Sequence, residues 1–181
     1  MTLSHTLRLI AADTRERNRL ENKRYGFLSY IKILLNPPAL AVVVYRFQHW
    51  LHTSGWTFAA DLLRRFNLIF FKTEIDSRAE ISEHFMLLHA NAIVIGPGAR
   101  IGRNVYLVHH NSIAAGLLPS GNSAGIVTIE DNVVLGCGAR ILGDNLTIGH
   151  DSFIGAGAVV TESLPECSFH YAGPGEKNEL S

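Results

Sequence analysis

The sequence predicts a mainly β protein, a parallel β-helix preceded by an α-helical region, on three observations. From residue 75 onward, aliphatic residues recur every six positions. Small residues punctuate the same stretch where a chain must turn sharply and a Cβ would crowd the backbone. The first 73 residues instead carry apolar positions at helical spacing, with a different charge balance.

The helical region comes first. Leu28, Ile31, Leu34 and Leu35 follow a helical period until Asn36-Pro37-Pro38, where consecutive prolines end one helix and open the next. Leu40, Val43, Val44, Phe47 and Leu51 give the second helix an apolar stripe, and Ser54-Gly55 ends it. Phe58 to Phe70 supply a third amphipathic stretch, whose apolar side is expected to face the core.

The hexads follow in order. Ile75, Ile81 and Leu87 form one set, and Ile95, Ile101, Leu107 and Ile113 the next; Ile129, Leu135, Ile141, then Ile148, Ile154 and Val160 complete the series. Six is not a multiple of the helical period, so short strands joined by corners are required, three of them closing a coil of about 18 residues. The predicted division is a helical region over 1–73, the coil over 74–163 with an insertion at 114–128, and a tail over 164–181.

Composition limits the function classes. The chain has 181 residues, 47% of them apolar and 18% charged, which is too apolar for a disordered chain. No run of 18 apolar residues exists to cross a bilayer. Cys137 and Cys167 are too few for a disulfide scaffold, and the amino terminus lacks a signal-peptide core, so a cytoplasmic protein is expected. Sixteen basic and sixteen acidic residues cancel overall, yet residues 1–73 hold 11 basic against 4 acidic and residues 74–181 hold 5 against 12. A solvated basic helical face explains this asymmetry, and peripheral membrane association stays open as an alternative. No nucleic-acid partner is expected.

Defects in the period locate a candidate site. The step from Leu87 to Ile95 is eight residues and that from Ile113 to Ile129 is sixteen, which opens a Gly-, Ser- and Pro-rich loop. The residue two places into each hexad of the third face reads His89, His109, Cys137, Ala156. Rungs of a β structure lie about 4.8 Å apart, so two imidazoles stand beside a track of small residues if the longer step is a two-residue bulge. Adjacent strand residues point to opposite sides, which selects His109 over His110 for this column.

Ile95-Gly96-Pro97-Gly98-Ala99-Arg100 and Ile154-Gly155-Ala156-Gly157-Ala158-Val159 resemble the left-handed β-helix of the hexapeptide-repeat acyltransferases. Within that family the chain is similar to serine O-acetyltransferase and related polysaccharide O-acetyltransferases, from Tyr45-Arg46-Phe47-Gln48-His49-Trp50-Leu51 to Val160. The resemblance implies a homotrimer with sites between subunits and acetyl-CoA as co-substrate. It implies His89 as the base, within Leu87-Leu88-His89-Ala90-Asn91, Glu74 as the group that orients it, and His109 near the acceptor. An alcohol is a poor nucleophile until an imidazole, titrating near ~6.5 in water, takes its proton. The resemblance further implies an oxyanion donor at the amide of Ala115, and a pantetheine slot along Ala115, Cys137 and Ala156.

Departures bear on the acceptor. Leu88 stands where the serine enzymes have aspartate, Ala114-Ala115 replaces Gly-Gly, Gly125-Ile126 replaces the carboxylate-binding Arg-His, and Lys23-Arg24 loosely replaces Asp-Pro. The expectation drawn is an O-acetyltransferase acting on a saccharide or a capsule or exopolysaccharide precursor, with L-serine as the alternative acceptor. A non-catalytic scaffold and a zinc hydratase-like trimer using His49, His84 and His89 stand behind these; no metal is assigned.

Overall fold

The computed structural model describes residues 1–21, 33, 35–115 and 125–172, and the backbone of 178–179. Among the described residues three helices precede the coil: α1 (Leu3–Leu20), α2 (Pro37–Thr53) and α3 (Thr57–Phe71). The Thr2 side chain caps α1 by accepting from the His5 amide, and Asn36 caps α2 by accepting from Ala39. Pro37 and Pro38 open α2 where their missing N–H groups leave no bond unmade. The predicted positions Leu28, Ile31 and Leu34 lie outside the described residues.

The coil is built from strands β1 (Thr73–Ile75), β2 (Glu80–Ile81), β3 (Met86–Leu87), β4 (Ile93–Ile95), β5 (Ala99–Ile101), β6 (Tyr106–Leu107) and β7 (Ser112–Ala114). After the insertion come β8 (Val127–Ile129), β9 (Val134–Leu135), β10 (Arg140–Leu142), β11 (Leu146–Ile148), β12 (Phe153–Ile154) and β13 (Val159–Val160). Every strand of this set pairs in parallel with the strand three places on, which generates three sheets and a three-sided winding. The first face is β1-β4-β7-β10-β13, the second β2-β5-β8-β11, and the third runs from β3 through β6 and β9 to β12.

Each hexad aliphatic lands in register on its counterpart. Ile75, Ile95, Ile113, Ile141 and Val160 stack on the first face, Ile81, Ile101, Ile129 and Ile148 on the second, and Leu87, Leu107, Leu135 and Ile154 on the third. All are buried, and each contributes about 1.5–3 kcal/mol of hydrophobic stabilisation. The third sheet extends past residue 163: β14 (Ser168–His170) pairs in parallel with β12, and β15 (Asn178–Glu179) returns antiparallel on β14.

A solenoid leaves its first turn with unpaired carbonyls, and the helices cover that edge. Gln48 donates to Ile75 O, His49 to Ser77 O, Tyr45 to Ala79 O, Arg46 to Ile81 O and Ser82 O, and Arg17 to Leu87 O. This is why the buried side of α2 differs from the predicted stripe. Its buried residues are Ala39, Ala41, Val42, Tyr45, Arg46 and Gln48, because the coil end offers acceptors rather than an apolar wall. The stripe on α3 also departs from expectation: Ala60 and Asn67 are buried, while Phe58, Leu62, Ile69 and Phe70 face solvent. Small Ala60 lets α3 approach closely, and the Asn67 amide bonds Ala41 O, so the contact needs no large apolar side chain.

Candidate active site

Four of the candidate residues, His89, His109, Cys137 and Ala156, gather at the corner between the third and first faces. A left-handed residue turns the chain there on successive rungs: Ala92, His110, Gly138 and Gly157, with φ of 50°, 59°, 72° and 71°. Backbone bonds from His110 N to Asn91 O, from Gly138 N to His109 O and from Gly157 N to Cys137 O define the column. It reads Asn91, His109, Cys137, Ala156. Asn91 takes the rung position expected of His89, because the two extra residues of the eight-residue step bulge out before it.

His89 rides on that bulge, exposed, and its ring still meets His109 edge-on at 5.7 Å between centroids. His109 Nε2 lies 2.9 Å from Cys137 Sγ, while its Nδ1 is buried with no hydrogen-bond partner in the protein. His110 joins them, ring centroid 4.9 Å from that of His109. The exclusion of His110 by strand alternation fails because residues 109 and 110 form a corner, where a left-handed residue redirects the side chain. The Cys137 to His109 contact was also not visible from sequence; the column pattern placed the two residues together but gave no sign of the sulfur facing the ring.

Glu74 stands on the first face, on the first strand of the coil. It projects from β1 opposite Val94 and pairs loosely with Arg64 at 3.9 Å, whereas Arg64 holds Asp76 at 3.1 Å. No hydrogen bond joins Glu74 to His89 among the described residues. Burial opposes ionisation of Asp76, but its bonds to Arg78 and the nearby Arg64 outweigh it and hold the carboxyl below its ordinary range. Ala114 and Ala115 lie at the end of β7, half-buried, and Ala156 is exposed one rung beyond Cys137. The insertion re-enters beside its departure point: a Cβ on Gly98 would overlap the Gly125 carbonyl, and one on Gly125 would press on Ala115. Residues 116–124 of the loop, Lys23 and Arg24, and Gly173-Pro174-Gly175 of the tail lie outside the described residues.

The histidines of the hydratase alternative are apart. His49 bonds Ser77 O on the coil end and His84 bonds Asn104 Oδ1 at the opposite corner, so with His89 they form no cluster among the described residues. A cavity of about 950 Å³ opens on the second face between α1 and the coil, lined by His5, His49, Glu80, Arg100 and Asp131 among others. It does not include His89, His109 or Cys137. His89, His110 and Ala156 are exposed at this corner, on the outer surface of the coil. Among the described residues no helix is long and apolar enough to cross a membrane.

No family model matches the sequence. Individual relatives do. The chain is 32% identical over 148 residues to a serine acetyltransferase of Bacillus licheniformis, a match covering 81% of this chain and 67% of that protein. Among solved structures, the soybean serine acetyltransferase apoenzyme superposes with a TM-score of 0.81 and 28% identity over 96% of this chain and 69% of that one. A Brucella abortus serine acetyltransferase in complex with coenzyme A gives the same TM-score at 24% identity, over 94% of this chain and 66% of the other, and supports the fold alone. The chain thus spans about two thirds of the length of these relatives.

These findings overturn the saccharide assignment; they do not support the expected place in polysaccharide biosynthesis and do not show the polysaccharide-modifying subgroup. The absence of the Arg-His pair at Gly125-Ile126 and of the Asp-Pro pair at Lys23-Arg24 does not identify a sugar. Similarity along four fifths of the sequence, joined to a matching three-sided coil and its capping helices, establishes that the chain belongs to the serine acetyltransferase family of hexapeptide-repeat acyltransferases.

Proposed function

We propose that this chain is an acetyl-CoA-dependent acyltransferase that acetylates the hydroxyl of L-serine. The observation that carries the reading is the 32% identity over 81% of the chain to a serine acetyltransferase, a stretch that contains the hexads and the eight-residue step bearing His89. The co-substrate supplies an acetyl group activated as a thioester. In this reading the coil is left-handed and three copies assemble, so that a neighbouring subunit turns the exposed corner into a cleft.

His89, raised on its bulge, takes the acceptor hydroxyl proton as the oxygen attacks the thioester carbon, then returns it to the departing thiolate. The amide of Ala115 supports the negative oxygen of the addition step; alanine keeps the N–H that glycine would offer. Glu74 orients the His89 ring, and its weak hold on Arg64 leaves its carboxylate free to turn. His109 borders the acceptor, and Cys137 and Ala156 line the slot for the pantetheine arm. Exposure of Ala156 and Gly157 suits a groove in which side chains must not intrude.

The test is release of free thiol from acetyl-CoA by the purified chain, with L-serine as acceptor. Serine-dependent thiol release together with O-acetylserine in the product supports the reading. Thiol release that ignores serine, or none at all, overturns it.

A further inference from the structure

We propose that His109, His110 and Cys137 form a binding site for a soft divalent cation of the zinc class. The site shares His109 and Cys137 with the transferase reading, so a bound cation and the acetyl carrier compete for these side chains. The three side chains offer two imidazole nitrogens and one sulfur, all within 4.8 Å of one another. Zinc bonds of about 2.0–2.1 Å to nitrogen and about 2.3 Å to sulfur put the ligand atoms of a tetrahedral site roughly 3.5 Å apart. The Cys137 Sγ to His109 Nε2 separation of 2.9 Å is already inside that span, so small side-chain rotations suffice.

One further observation bears on the ligands. His109 turns Nε2 toward Cys137 Sγ and keeps Nδ1 buried without a hydrogen-bond partner in the protein, so Nε2 is the nitrogen it offers to an ion. At His110 the backbone takes φ of 59°, at a corner where the next two rungs use glycine, Gly138 and Gly157. An imidazole there carries the strain of a left-handed residue, as Ala92 does one rung earlier with φ of 50°. Sulfur and imidazole donors favour zinc-like ions over magnesium or calcium, which take oxygen. Three protein ligands leave a fourth position for water, as in open zinc sites.

Cobalt(II) titrated into the chelator-treated full chain tests this. The expected result is one equivalent bound, with a near-ultraviolet sulfur-to-cobalt charge-transfer band and the intense visible bands of tetrahedral geometry, both lost on adding equimolar zinc. Cys137→Ser is expected to abolish the charge-transfer band, and His109→Asn and His110→Ala to weaken binding at least ten-fold, with far-ultraviolet circular dichroism showing the coil intact in each. Because Cys137→Ser changes a single atom, it keeps the test decisive if a histidine variant unfolds. Cobalt bound without the sulfur band, binding unchanged in Cys137→Ser, or no binding would each overturn the proposal. None of these readouts uses acetyl transfer, so failure of the transferase reading leaves the result intact.

Discussion

Two corners of the same coil meet one backbone demand with opposite chemistry. Where the second face passes to the third, left-handed residues recur as His84, Asn104, Asn132 and Asp151, with φ between 55° and 61°. Their side chains form a ladder: His84 Nδ1 lies 2.9 Å from Asn104 Oδ1, Asn104 donates to Asn132, and Asn132 donates to Asp151, each at 2.9 Å. Asparagine tolerates the left-handed region, and every rung satisfies its neighbour. Where the third face passes to the first, imidazole, thiol and glycine occupy the turn, and one buried nitrogen is left without a partner.

The ends of the corners differ too. Above the ladder, Asp13 accepts from Arg46 and from the Phe85 amide, while Arg46 also donates to Ile81 O and Ser82 O. Above the other corner, among the described residues, Arg17 donates to Leu87 O.

The largest way to separate the corners is chemical. His89→Ala is expected to lower acetyl transfer by about 10²–10⁴-fold, the usual contribution of a positioned base, with the melting temperature nearly unchanged because the ring is exposed. Thiol-release assays and thermal unfolding of the same samples check both halves. Wild-type rates in the variant would remove His89 as the base and with it the functional meaning of its bulge.

The next effect is on stability. Arg46→Met removes a fully buried guanidinium, strands the Asp13 carboxylate and frees two carbonyls above the ladder. Breaking such a buried pair costs about 3–5 kcal/mol. Denaturant unfolding that showed a loss near zero would mean that the helices do not clamp this corner.

Asn132→Ala tests the ladder itself. It deletes the bonds to Asn104 and Asp151 and forces alanine into a left-handed residue, a combined cost of about 2 kcal/mol. Asn132→Gly, which relieves the backbone term, is expected to recover about half. Equal losses in the two variants would show that backbone strain is a negligible part of the corner, and a change in acetyl transfer in either would break the division between the two corners.

What the sequence disclosed follows the same division. The inward positions were legible because a hexad aliphatic has one role, and Ile75, Ile95, Ile113 and Ile141 stack as their spacing requires. The corners were less legible. His89 was identified through its motif, yet Asn91 holds its expected rung, because a period marks where a bulge falls but not which residues leave the column. His110 was set aside by an alternation rule that applies to strands and fails at a left-handed turn. The saccharide acceptor rests on absent pairs at Gly125-Ile126 and Lys23-Arg24 and fails because a missing side chain carries no information about what replaces it. The face of α2 was hidden for a related reason: Tyr45, Arg46 and Gln48 look solvent-facing until the carbonyl edge they cover is in view.

The smallest effect lies at the outer end of the ladder. His150 is flanked by two carboxylates, Asp151 Oδ2 at 2.7 Å from Nδ1 and Glu166 Oε2 at 2.7 Å from Nε2. The hydrogen bond to Asp151, first, and the charge of Glu166 hold its imidazolium form above the ordinary histidine range. A folded value raised above the unfolded one contributes stability that is fully present below about pH 6.5 and fades as pH rises through the folded value. The site is solvent-exposed, so screening keeps the gain small and the direction is the test. Ring-proton NMR is expected to give His150 a midpoint above that of a free imidazole, falling back in Glu166→Gln. In the same variant the melting temperature is expected to lose part of its decline between pH 6 and 8. A His150 midpoint at or below the ordinary range would mean that the carboxylates do not hold the ring, and the polar ladder would then end at Asp151.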